Sequence, residues 1–379
     1  MAQWRLIVSQ SLKISNIVPR NIPPPTSRLQ PRVQTTLLTS TSAMLNFGII
    51  GTGWITASFV TSAHSTKKWQ LRAVYSRNSS SASDFSSKFS SDVAEPIKSH
   101  TELSELASDP EVQAVYIASP NSLHYAHAKQ MLEGGKHVIL EKPATSTSAE
   151  LDSLFALAKS KNLFLIEAFR HLHEVNFKIL KKELSRLGRI FGGSLNYAAY
   201  SSRYDNVLKG EVPNIFNLDF SGGSLVDLGV YPISAAIALF GAPKSSSYSP
   251  VMIATGADGG GTILLQYDGF TVSILASKIY TSTAPSEVFG EKGTLSVPTI
   301  TDIESVKFLD AKLKGKATEL GGKRCDLNLK EEAELFAGII EGADWAAAKE
   351  LEALSRAVIE VTESCRRANG LTFKVEKGQ

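Results

Sequence analysis

Gly51 and Gly53 stand two apart, after the apolar run Phe47-Gly48-Ile49-Ile50 and just before a helical pattern that opens Trp54-Ile55-Thr56. Strand, glycine turn and helix in that order form a cradle for a dinucleotide pyrophosphate. Gly51 permits the sharp turn, and Gly53 lets the backbone approach the phosphates. The helix start at Trp54 and Ile55 offers unpaired amides at a positive dipole end. The third small position of the pattern is Thr56, which crowds helix against strand. A bare pair of glycines also fits an ordinary tight turn; its place at the head of a βαβ series strengthens the nucleotide reading. The next strand ends Val74-Tyr75-Ser76-Arg77-Asn78, with no acid. An NAD site usually has Asp or Glu there for the ribose 2′-hydroxyl. Arg77 instead suits a 2′-phosphate and Ser76 can donate to it, which favours NADP over NAD unless Arg77 merely faces solvent.

The elements that must position these residues follow from periodicity. Leu45–Ile50, Leu71–Tyr75, Ala114–Ala118, His137–Leu140 and Leu163–Ile166 read as buried strands. Between them, helices are expected over Trp54–Ala63, Ser79–Ser91 (Phe85 and Phe89 at helical spacing), Ala126–Gly134 and Ala149–Ser160. This alternation implies a doubly wound parallel sheet over residues 44–166. From Glu167 the pattern changes. A helix over Asn176–Leu187 precedes strand-like runs at Arg189–Tyr200, Ser249–Ala254, Gly261–Tyr267, Phe270–Ser277, Glu287–Phe289 and Thr294–Val297. Residues 167–379 therefore read as an α+β domain with an open antiparallel sheet, closed by helices near Lys330–Gly342 and Trp345–Ala368 that could return to the first domain.

The chain has 379 residues and a net charge of +3, too weak to argue for nucleic acid. Residues 1–43 carry five basic residues and no acid, which leaves −2 to the remainder. Their Ser, Thr and Arg content is that of an organellar leader; a translation start at Met44 is the alternative, and either way they are expected to be disordered. Location is read as cytoplasmic, or mitochondrial if the leader acts. No apolar run approaching the roughly 18 residues of a membrane span was found, so the chain reads as soluble. Cys325 and Cys365 alone make no disulfide framework.

Three blocks carry a resemblance to a known family. They are the glycine turn with Ser76-Arg77; Tyr116-Ile117-Ala118-Ser119-Pro120-Asn121-Ser122-Leu123-His124 followed by His137-Val138-Ile139-Leu140-Glu141-Lys142-Pro143; and Gly222-Gly223-Ser224-Leu225-Val226-Asp227-Leu228-Gly229-Val230-Tyr231-Pro232. The sequence resembles the glucose–fructose oxidoreductase, inositol dehydrogenase and MocA (Gfo/Idh/MocA) family. Having Tyr at position 231 is similar to the glucose–fructose oxidoreductase and dimeric dihydrodiol dehydrogenase branch. The resemblance implies a Rossmann domain followed by an open-sheet domain that often pairs face to face, hence a homodimer or higher oligomer. It implies that Lys142 is catalytic, with the peptide before Pro143 often cis. It places Pro120 and Asn121 beside the nicotinamide ribose, and Asp227 and Tyr231 facing the substrate; Ser119 and Glu141 are counted with the nucleotide, and His124 is read as a cofactor-loop residue or as part of the following helix.

These residue types suit hydride chemistry at an alcohol or carbonyl. Asp227 and Tyr231, four apart, share one face of a helix. Tyrosine is a poor base near neutral pH; a nearby Lys142 ammonium would lower its pKa and let it exchange a proton with the substrate oxygen. Asp227 would hold the substrate hydroxyl or the lysine. Each has a plainer reading: Lys142 as a surface lysine, Asp227 as a helix cap, Tyr231 as packing. At the domain junction, Glu167-Ala168-Phe169-Arg170-His171-Leu172-His173 departs from the family's usual continuation. Glu167 could reach the nicotinamide end, and Arg170 or His171 the substrate. No metal site is expected, because His171 and His173 lack a third ligand with metal spacing. The expectation is an NADP(H)-dependent oxidoreductase of a sugar, polyol or trans-dihydrodiol; the alternative is a sensor that binds NADP(H) without turnover.

Overall fold

The computed structural model describes residues 44–314 and 316–377; the leader expectation for residues 1–43 lies outside them. The first half folds as β1 (Leu45–Ile50), α1 (Trp54–Ser65), β2 (Trp69–Tyr75), α2 (Ser79–Phe89), β3 (Lys98–His100), α3 (Leu103–Ser108), β4 (Ala114–Ile117), α4 (His124–Glu133), β5 (His137–Glu141), α5 (Ser148–Ser160) and β6 (Leu165–Ala168). The strands form one parallel sheet in the order β3-β2-β1-β4-β5-β6. Helices cover both faces, so β1 and β4 are buried almost throughout and read as continuous apolar runs. The order reverses between β1 and β4. The turn after β1 and the loop after β4 therefore flank a crevice at the carboxyl ends of the strands.

Local chemistry explains the less obvious elements. The Ser-rich α2 starts because the Asn78 side chain accepts the Ser80 N–H at 2.9 Å, and it stays because Phe85 and Phe89 are buried. A capping box between Thr147 and Glu150 opens α5. Strand β3 has no apolar run to announce it; pairing with β2 places it. Strand β6 runs through Glu167 to Ala168, two residues past the expected domain boundary.

The chain continues with α6 (Arg170–His173), α7 (Val175–Glu183), β7 (Ile190–Ala198), α8 (Tyr204–Leu208), α9 (Val230–Phe240), β8 (Ser245–Met252), β9 (Asp258–Tyr267), β10 (Phe270–Ser277), β11 (Ser286–Gly290), β12 (Gly293–Val297), β13 (Lys307–Asp310), β14 (Ala317–Glu319), α10 (Lys330–Gly342) and α11 (Trp345–Arg367). The second sheet, β14-β13-β12-β11-β7-β10-β9-β8, is mixed rather than purely antiparallel, because β7 and β10 run parallel. Helix α9 packs on its inner face, where Ile233 and Ile237 meet Ile263, Leu265, Val272 and Ile274. Helix α10 returns to the first sheet: Leu329, Ala333 and Phe336 join the core of Phe47 and Trp69, and the Trp69 indole donates to the Ala333 carbonyl. Helix α11 touches α9, β6 and β8, tying both sheets together.

One stretch, Leu218–Phe240, is long and apolar enough to cross a membrane, contrary to the sequence reading. It is broken into a 3-10 turn, a π turn and α9, it carries Asp219 and Asp227, and 72% of its apolar window is buried inside the fold.

Candidate active site

The glycine turn closes against β4. Gly51 has φ +100°, and a Cβ there would lie 2.6 Å from the Ala118 carbonyl oxygen. Gly53 is different: a Cβ would meet nothing within 4 Å. The face of the turn is thus open where a pyrophosphate would approach. No side chain caps α1, so its first-turn amides are free for an anion. Trp54 is 77% exposed at this edge and Ile55 half-buried. Thr56 is fully buried, and its hydroxyl finds no partner among the described residues. Beyond β2, Arg77 is exposed and makes no ion pair among the described residues, while the Ser76 hydroxyl accepts the Asn78 N–H. An open turn, uncapped amides and an unpaired guanidinium fit a phosphorylated dinucleotide.

The loop after β4 is held from several sides. The Ser119 hydroxyl meets His127 Nδ1 at 3.0 Å. Asn121 Nδ2 donates to the Ser221 carbonyl at 3.1 Å, so its amide spans to the second half of the chain. His124 is 1% exposed, with one ring nitrogen 2.9 Å from the Pro143 carbonyl and the other 2.8 Å from the Ser119 carbonyl. It pins the β4 loop to the β5 loop, which favours a structural role for the side chain over direct contact with a cofactor. Burial pushes its pKa down.

Strand β5 delivers Lys142, and the Lys142–Pro143 peptide is cis. The Lys142 ammonium donates to the Asp227 backbone carbonyl and to Oδ1, both at 3.0 Å. Asp227 does not sit on regular α-helix. It lies in a π turn, Leu225–Gly229, that runs into α9, and such turns recur at functional sites. A second ammonium, from Lys278 just past β10, meets Asp227 Oδ2. Tyr231 follows on α9. Its ring centroid lies 4.7 Å from Lys142 Nζ and 5.9 Å from the Arg170 guanidinium, with Tyr197 and His171 edge-on at 5.2 and 5.0 Å. The Tyr231 hydroxyl has no hydrogen-bond partner among the described residues.

Electrostatics sort these groups. Burial alone would raise the Asp227 carboxyl, but the Lys142 and Lys278 ammoniums outweigh it and hold Asp227 well below the usual range. Burial likewise works against the Lys142 charge, yet Tyr231, Asp227 and Glu141 keep it firmly protonated. Tyr231 departs from expectation: burial raises its phenol above the ordinary value, and the opposing Lys142 and Arg170 charges do not reverse that.

Three further expected site residues point elsewhere. Glu141 accepts the Tyr116 hydroxyl at 2.5 Å and the Lys142 N–H at 3.2 Å, so its carboxylate is committed inside the fold. Glu167 is buried and accepts the Ala144 N–H at 2.8 Å, supporting the Lys142–Pro143 loop from behind rather than meeting a nicotinamide. His171 is fully buried under Tyr231, its Nε2 3.0 Å from the Tyr231 carbonyl, and does not line an open pocket. Arg170 stays at the site, paired with Asp302 at 2.8 Å. Two buried residues were missed. One is Lys278. The other is Asp258, which accepts the Leu225 N–H at 2.6 Å and the Tyr248 hydroxyl at 2.7 Å, anchoring the π turn. The only sequence signal for Lys278 is a lone charge directly after an apolar strand.

Comparison with known proteins agrees with this architecture. An oxidoreductase family model with an NAD-binding Rossmann fold matches residues 45–169, and a Gfo/Idh/MocA C-terminal domain model matches residues 184–296. The chain is 42% identical over 276 residues to the scyllo-inositol 2-dehydrogenase (NADP(+)) of Bacillus subtilis, covering 72% of this chain and 83% of that one. It is 32% identical over 239 residues to the mouse trans-1,2-dihydrobenzene-1,2-diol dehydrogenase, covering 61% and 68%. Among solved structures, a 3-ketoreductase from Actinomadura kijaniata in complex with NADP superposes with a TM-score of 0.70 at 22% identity, covering 86% of this chain and 97% of that one, a likeness of fold.

Proposed function

The chain belongs to the Gfo/Idh/MocA oxidoreductase family, and on that premise we propose that it is an NADP(H)-dependent dehydrogenase acting on a CH–OH group of a sugar, polyol or trans-dihydrodiol. The observation that carries this reading is the Tyr231 hydroxyl, free of protein partners beside the Lys142–Asp227 pair at the carboxyl end of β5.

Gly51, Gly53 and the first amides of α1 would hold the pyrophosphate, Ser76 and Arg77 the 2′-phosphate, and Ser119 and Pro120 would flank the ribose. When bound, NADP supplies the hydride acceptor for alcohol oxidation and, reduced, the hydride donor for the reverse. The chain's own residues handle the proton. In carbonyl reduction, Tyr231 gives its phenol proton to the substrate oxygen; in oxidation, the phenolate takes the hydroxyl proton back. Lys142 stabilises negative charge on either oxygen. Asp227 is a poor candidate for the base, because both its oxygens accept from ammonium groups. The outer face of the second sheet, with Thr262 and Leu264 exposed, is where we expect two copies to pair.

The direct experiment is to purify the protein and follow nicotinamide absorbance with aldoses, inositols and trans-dihydrodiols, with NADP and NAD separately. Turnover of a polyol with NADP supports the proposal. Nucleotide binding with no turnover of any alcohol, or of the matching carbonyl with NADPH, overturns it.

A further inference from the structure

Lys278 is a buried ammonium whose partner, Asp227, already pairs with another, Lys142. It follows β10, whose inward side chains Val272, Ile274 and Ala276 are buried. Its N–H donates to the Gly259 carbonyl at 2.8 Å, its side chain is 3% exposed, and its ammonium lies 5.3 Å from the Phe216 ring centroid. Burying an ammonium is costly, and replacing buried ion pairs by apolar groups is often neutral or stabilising. Asp227 already has one ammonium, from Lys142. Stability alone therefore gives little reason for a second.

We propose that Lys278 is a positioning residue, the resident counter-ion of Asp227, which frees Lys142 to turn from Asp227 to the substrate oxygen without leaving a half-buried carboxylate unpaired. The inference rests on the dehydrogenase reading above. Each Asp227 oxygen has its own cation, Lys142 on Oδ1 and Lys278 on Oδ2. Two of the three Lys142 donors go to Asp227, one to its backbone carbonyl and one to Oδ1, and the third can reach a substrate oxygen beside Tyr231; as the ammonium turns toward that oxygen, the Oδ1 bond is the one that loosens. With Lys142 as the sole partner, that exchange would leave a half-buried carboxylate without a counter-ion. With Lys278 in place it stays paired.

The division of labour matches the anchoring. Lys278 is fixed in the wall by its backbone and by Phe216, whereas Lys142 faces the Tyr231 ring. Among the described residues no other cation is placed to take over, since the nearby Arg170 is held by Asp302.

The test uses the full chain as Lys278→Met and Lys278→Arg, each also in an Asp227→Asn background, with NADP and an alcohol found in the screen. In Lys278→Met, kcat should fall about 10–100-fold with NADPH affinity unchanged. Lys278→Arg should restore most of kcat. In the Asp227→Asn background, Lys278→Met should cost less than about threefold, because no charge remains to strand. Unchanged kcat in Lys278→Met, or an equal loss in both backgrounds, overturns the inference. If no alcohol reacts with the wild-type protein, the functional reading fails and urea unfolding decides this one alone. Lys278→Met must then lower the midpoint with Asp227 present and not in the Asp227→Asn background; equal effects in both refute the counter-ion role.

Discussion

The Lys142 ammonium lies 4.7 Å from the Tyr231 ring centroid, and both of its hydrogen bonds go to Asp227 rather than to the phenol oxygen. That leaves the hydroxyl to a substrate. Tyr231→Phe preserves the ring that packs against Tyr197 and His171 and removes only the oxygen. We expect kcat to fall by about 10²–10⁴-fold, the usual worth of a positioned acid–base group, with NADPH affinity unchanged. Initial rates and a fluorescence titration check this; a loss below about tenfold would assign the proton to another group.

The raised Tyr231 pKa sets opposite pH dependences for the two directions. Reduction uses the protonated phenol, which is fully present near neutrality, so kcat/KM for a carbonyl should be flat over about pH 6–9. Oxidation uses the phenolate, so its rate should climb about tenfold per pH unit with no plateau below about pH 10. Profiles of both directions in one buffer series make the measurement, and an oxidation plateau near neutrality would contradict it.

Glu167 ties stability to pH. Burial pushes its carboxyl up to about 7, while in the unfolded chain it titrates at the ordinary glutamate value. Between those values the folded state holds a proton that the unfolded state has released, so stability falls as pH rises through this window. Glu167→Gln keeps an acceptor for the Ala144 N–H and removes the ionisation. Relative to wild type it should gain on the order of 1–3 kcal/mol between about pH 5 and 8. Urea midpoints at the two ends of that range measure the gain, and no difference between them would refute it.

Arg77 has no carboxylate partner to release, so its guanidinium is available to a 2′-phosphate at no internal cost. Arg77→Ala should weaken NADP binding roughly 10–100-fold, the worth of a charge-assisted hydrogen bond, and leave NAD nearly unaffected. Paired titrations with the two nucleotides test this, and equal weakening of both would place Arg77 outside the discrimination.

What the sequence disclosed follows from how each feature is encoded. The strand of Phe47 and Ile49 and the helix of Phe85 and Phe89 carry local apolar periodicity, and both formed where expected. The open side of Gly53 was legible because the turn chemistry is local. Strand β3 was not, because three polar residues take their conformation from a neighbour. Lys278 went unremarked, because only closure of the second sheet on the π turn brings it to Asp227. Asp258, before three consecutive glycines, fell outside the expected strand Gly261–Tyr267, yet β9 begins there and buries it. His124 and Glu141 were assigned by motif to the nucleotide, while their actual partners come from segments that only the tertiary fold brings alongside.

Asp258 yields the last prediction. Its carboxylate accepts the Leu225 N–H, at the first residue of the π turn that carries Asp227, and also the Tyr248 hydroxyl. Gly223, at φ +140°, leaves room for it; a Cβ there would lie 2.2 Å from Asp258 Oδ1. Asp258→Ala strands the buried Leu225 N–H, while the Tyr248 hydroxyl keeps the Gly260 carbonyl, and should cost about 1–3 kcal/mol of stability. Because the lost bond fixes the start of the π turn, activity should fall even at temperatures where the variant stays folded. Asp258→Asn retains a carbonyl oxygen for Leu225 and should keep more of both. Thermal melts paired with rates well below the melting temperature separate the two effects. Full specific activity in folded Asp258→Ala would mean that the π turn holds Asp227 in place without this anchor.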